Sequence, residues 1–157
     1  MKYIQLSILH IMTATILFSC GQKSESDNDD LKIENKEMPA EARAEKALYD
    51  EVMAVHDEVM PKMDDMMRLK GRLQTKLDLA REQENQNQEE LKTLENAIKQ
   101  LEEADEAMMQ WMRDFEPQEN MNDHEKVMGY YKAQKNEIEK VKEQMLNAMK
   151  NAQDNLN

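Results

Sequence analysis

Apolar residues return every three or four positions over most of the chain, in three long runs parted by polar stretches. The first runs from Pro39 to about Arg81 and sets Leu48, Val52, Val55, Val59, Met63, Met66, Leu73 and Leu77 on one face. Pro39 suits a first helical position, and Glu41 falls in the first turn, where the helix dipole favours a carboxylate. Pro61 has no N–H for the Asp57 carbonyl, which costs about 3 kcal/mol in a helix interior, and Gly71 adds roughly 1 kcal/mol against alanine. The stripe stays in phase across Pro61, so one kinked helix is expected, with two shorter helices as the alternative. Glu82 to Gln88 makes a polar turn. A second helix is expected from about Glu89 to Phe115, carrying Leu91, Leu94, Ile98, Leu101, Ala104, Met108, Trp111 and Phe115, and stopped by Pro117. The third has the cleanest heptad phase, through His124, Val127, Tyr131, Gln134, Ile138, Val141, Met145, Ala148 and Ala152. Asn122 is its expected N-cap, with Glu125 completing a near capping box.

Three amphipathic helices with short polar turns predict an all-α fold, an antiparallel up-down-up three-helix bundle with coiled-coil-like packing and helix one kinked near Pro61. A single helical hairpin or a dimeric coiled coil is the alternative. If the turns centre near residues 85 and 119, His56 lies near Arg113, Met60 near Gln110 and Trp111 beside Val127. Helices one and three are then parallel, and His56 and His124 fall within a turn or two of the same height. Tyr49, Trp111, Phe115, Tyr131 and many methionines gather at that end, and Leu, Ile and Val build the other.

The shared height matters because Met53-Ala-Val-His56-Asp-Glu-Val-Met60 is echoed by Met121-Asn-Asp-His124-Glu-Lys-Val-Met128. Thioethers and imidazoles suit a soft ion such as Cu(I), so Met53, His56, Met60, Met121, His124 and Met128 are candidate ligands. Core packing explains the same spacing, because these positions share a helix face and methionine fills irregular cores. It is the first reading. The soft-metal site comes second, and a histidine pH switch or a functionless duplication third. A methionine and aromatic surface also suits adaptable binding of apolar segments.

Composition narrows the chemistry. Among 157 residues there are 3 glycines and 3 prolines, as long helices require, and 1 cysteine, so no internal disulfide forms. A net charge of −12 and the lack of a basic stripe argue against nucleic acid as a partner. After Cys20 the only serines are Ser24 and Ser26, which leaves no nucleophile of the serine or cysteine kind within the helical runs. Met53 and Met121 stand where a di-iron bundle needs the glutamate of Glu-x-x-His. Asp64-Asp65 and Glu102-Glu103 read as solvated faces, and no glycine-rich phosphate loop is present. A non-enzymatic protein without a cofactor is expected, copper being the alternative.

The amino terminus places the protein. Lys2 precedes a mostly apolar run from Tyr3 to Phe18, shorter than the roughly 20 residues a membrane span needs. Leu17-Phe18-Ser19-Cys20-Gly21 resembles the lipobox of bacterial lipoproteins, with Phe18 in place of the usual small or β-branched residue. The resemblance implies cleavage before Cys20, diacylation of its sulfur and acylation of its new amine, a stable membrane anchor. An ordinary secretory signal with a leftover thiol is the alternative. The expected organisation is a signal peptide (1–19), a lipidated cysteine with a disordered acidic tether (20–38) and a helical domain (39–157). Asp27, Asp29 and Asp30 make the tether a solvated spacer or, alternatively, an export tag like that of some surface lipoproteins. Gly21 is not the aspartate that retains lipoproteins in the inner membrane of enteric-type bacteria. His56-Asp-Glu-Val-Met-Pro-Lys-Met63 also resembles small helical lipoproteins of gram-negative bacteria, some labelled similar to viral A-type inclusion protein repeats. The expected role is a binding or scaffold module anchored in the cell envelope, at the outer membrane, whose partner is another envelope protein or a second copy. Copper binding and chaperone-like binding of apolar segments are the rivals.

Overall fold

A computed structural model describes residues 38–118 and 123–157. They belong to one compact unit, Glu37–Asn157. The signal segment, Cys20, the tether and Met121 lie outside the described residues. The described fold is all-helical, with α1 (Ala40–Val59), α2 (Lys62–Arg81), α3 (Gln88–Asp114) and α4 (His124–Asp154). Helix α4 packs against all three others, and α2 against α3.

The first apolar run is interrupted where proline removes a donor. Met60 and Pro61 keep helical dihedrals (φ −55°, ψ −41° and φ −63°, ψ −18°). Met60 N–H still donates to His56 O at 2.8 Å, but Met63 N–H turns to Met60 O at 3.2 Å, a bond spanning three residues instead of four. By hydrogen bonding the run is therefore two helices, α1 and α2. The turn after α2 is closed by Asn87, whose side chain accepts from the Glu89 and Glu90 N–H groups at 3.1 and 3.3 Å. Helix α4 is capped by Asp123, whose carboxylate accepts from Lys126 N–H at 3.2 Å. The expected cap, Asn122, is thus one residue early; it lies outside the described residues.

The apolar stripes became the core. All of the α3 stripe from Leu91 to Trp111 is buried, and in α4 only His124 and Val141 of the nine heptad positions are half-exposed. Leu69 and Ala80 join the core as well, although the stripe omitted them. Met66, Met108 and Met145 are nearly or wholly buried and supply one core methionine from each of α2, α3 and α4.

Polar pairs across the seams fix the alignment. Between α1 and α4, Glu51 meets Lys135 at 2.7 Å and Glu58 meets Lys142 at 2.6 Å, so residue numbers rise together. Between α2 and α3 they run oppositely, through Lys70–Glu102 at 3.4 Å and Arg81–Glu95 at 2.7 Å. Between α3 and α4, Asn151 Nδ2 donates to Gln100 Oε1 at 2.7 Å. Such exposed pairs contribute little energy each, but they record the register.

Candidate functional site

Helix α3 ends before Phe115, not at it. Phe115 adopts an extended conformation (φ −73°, ψ 115°), and Glu116, preceding a proline, is disfavoured in the helical region. The segment Phe115 to Gln118 therefore runs on as a strap. Two of its N–H groups meet tyrosine hydroxyls: Glu116 N–H donates to Tyr130 Oη at 2.7 Å, and Gln118 N–H to Tyr131 Oη at 2.9 Å. Pro117, between them, has no N–H to satisfy.

Beneath the strap lies a set of packed rings. Phe115 stacks on Trp111 at 4.8 Å between centroids and lies 6.2 Å from both Tyr49 and Tyr130. Tyr131 meets Tyr49 edge-on at 5.7 Å, and His56 lies against Trp111 at 5.7 Å. Burial pushes the Tyr131 hydroxyl above its ordinary pKa, partly offset by the Gln118 N–H it accepts. Trp111 Nε1 and Gln134 Oε1 are buried without a partner among the described residues.

Beside the rings an open groove of about 520 Å³ is lined by Met38, Ala42, Glu45, Tyr49, Pro117 and Tyr131 among others. Its walls are mostly apolar, and it opens where the helical unit begins. Glu45 at its edge is engaged by His124, whose Nδ1 lies 2.7 Å away. Lys46 is held by Asp50 at 2.7 Å.

This register separates the two expected half-sites. His124 pairs with Glu45, and His56 lies eleven residues farther along the same helix, about 16 Å at 1.5 Å per residue. Ligands of one ion sit within a few ångströms of it, so His56 and His124 do not face a common point. His56 Nδ1 is instead 2.8 Å from the neighbouring Asp57 carboxylate. Met53 and Met128 are half-buried, Met60 is exposed, and Met121 lies outside the described residues. Among the described residues no cluster of three or more His, Cys, Asp or Glu is placed to hold a metal.

The expected pairing of Trp111 with Val127 also fails. Carried along from Gln100–Asn151, Trp111 falls opposite the Ile138–Val141 turn of α4. The expectation assumed a tight turn near residue 119, whereas α3 ends at Asp114 and the chain leaves it in an extended conformation at Phe115. The gathering of Tyr49, Trp111, Phe115 and Tyr131 nevertheless occurs. Sequence reasoning missed Tyr130 and the strap. The available signal was tyrosine, rather than leucine, at the Tyr131 core position, since a buried hydroxyl needs a partner.

Comparison with known proteins finds no matching family model, no matching curated protein and no matching solved structure. Among the described residues no helix is long and apolar enough to cross a membrane.

Proposed function

We propose that this chain is a lipid-anchored, non-enzymatic helical module that binds or scaffolds another component of the cell envelope, tethered through Cys20. The observation that carries the reading is the position of the sole cysteine, directly after Leu17-Phe18-Ser19, followed by an acidic stretch that leads into the helical unit. Acylation there anchors a protein that has no other need of a cysteine. The groove lined by Met38, Tyr49, Pro117 and Tyr131 supports a binding role, because it offers rigid aromatic walls and one adaptable methionine. The same groove favours a second reading, chaperone-like holding of apolar segments.

The proposal includes an up-down-up order, with α1 and α2 acting as one strand of the bundle kinked at Pro61. It rests on residue numbers that rise together along α1 and α4 and oppositely along α2 and α3. The anchoring test is fractionation of cells producing the full chain or Cys20→Ala. The wild type is expected in the membrane fraction and the variant in the soluble fraction; equal membrane retention of both contradicts the anchor.

A further inference from the structure

The groove beside the strap sets a carboxylate against two aromatic rings. Tyr49 and Tyr131 both line it, with planes 71° apart and centroids 5.7 Å apart, so the two rings form a corner. Tyr49 also packs on Phe115 at 6.2 Å, which fixes the corner before any ligand arrives. Glu45 lines the same groove one turn before Tyr49 on α1, a spacing that places the two side chains about 5–6 Å apart on one helix face. The Tyr131 hydroxyl, pushed up chiefly by burial, also feels the Glu45 charge. The Glu45 side chain is only 24% exposed, and its contact among the described residues is His124 Nδ1 at 2.7 Å. A carboxylate only accepts, so that nitrogen carries the proton, and a neutral imidazole donates it without cancelling the charge. Lys46, a cation that also lines the groove, is turned to both carboxylate oxygens of Asp50, at 2.7 and 2.9 Å.

We propose that this corner is a binding site for a small quaternary ammonium compound, seated against the Tyr49 and Tyr131 rings with Glu45 as its counter-charge. Ring faces attract such cations through their quadrupoles, and the attraction grows where the cation leaves water. Met38, Ala42 and Pro117 supply apolar contact for the alkyl part. The net charge of −12 raises the local concentration of cations and disfavours anions. The inference rests on the reading of the groove as a binding surface and is independent of the lipid anchor.

The test is an NMR titration of the purified full-length chain with choline, at constant ionic strength and about pH 8, above the ordinary imidazole pKa of about 6.5. A parallel titration uses neohexyl alcohol, the uncharged isostere with carbon in place of nitrogen. Choline is expected to shift the Ala42 and Tyr49 signals saturably, and neohexyl alcohol to bind about tenfold or more weakly. Glu45→Gln, whose amide oxygen still accepts from His124, is expected to keep the melting temperature and weaken choline binding roughly tenfold. Tyr49→Leu is expected to weaken it by about the same factor, and Tyr49→Phe to bind as the wild type does. No saturable shift with choline, undiminished binding by Glu45→Gln or Tyr49→Leu, or weakened binding by Tyr49→Phe would each overturn the proposal. Equal binding of neohexyl alcohol would overturn it while leaving the groove a site for apolar groups; failure of both ligands would remove that reading as well.

Discussion

Tyr130 and Tyr131 are neighbours with the same hydroxyl, yet the two are not equivalent. Tyr131 Oη accepts from a partly buried Gln118 N–H, whereas Tyr130 Oη accepts from the exposed Glu116 N–H, which water can replace. Leaving a buried donor unpaired costs about 1–3 kcal/mol, more than losing an exposed bond. Tyr131→Phe is therefore expected to lower the urea-unfolding free energy by about 1–2 kcal/mol and Tyr130→Phe by clearly less. Equal losses would mean that the strap is not held in this way. At this scale the sequence was partly legible. Tyr131, Trp111 and Phe115 were placed on the packed face by period alone, but their hydrogen-bond partners depended on a non-helical segment that no periodicity describes. His56 and His124 stood out as a pair by spelling, and register, which spelling does not encode, parted them.

Elements were the most legible level, because 3.6-residue periodicity is a direct imprint of burial on one face. Of the nine α4 positions chosen for their heptad phase, all but His124 and Val141 are buried. The ends were less legible. Asn122 and Asp123 are both good caps by type, and the choice between them turns on which residue leaves the helix first. At Asp123 the Lys126 side chain, aided by the Lys126 N–H, holds the carboxyl below its ordinary pKa. A depressed folded pKa means that the stabilisation is fully present above the ordinary carboxylate value of about 3.9 and is lost as pH falls through the folded value. The protection of the first α4 amides, taken relative to their intrinsic exchange rates at each pH, is accordingly expected to fall on acidification below about pH 4. Asp123→Asn, which caps without titrating, should remove that pH dependence; an unchanged acid response in the variant would assign it to another group.

For the whole molecule, composition and pattern sufficed for an all-α fold. Alignment of the helices was not legible: carried along from Gln100–Asn151, α3 meets α4 several turns from where a tight-turn estimate puts it. The consequence is a bundle whose α1 end is built from α1, α4 and the strap, with packed rings and a groove where the helical unit begins. The measurement that tests this account most directly is the mass of the amino-terminal peptide of the mature protein recovered from bacterial membranes. The account predicts a peptide that begins at Cys20 and carries a diacylglyceryl group on sulfur and an acyl chain on the amine. A mature chain that begins elsewhere, or one that retains a free Cys20 thiol, would contradict it.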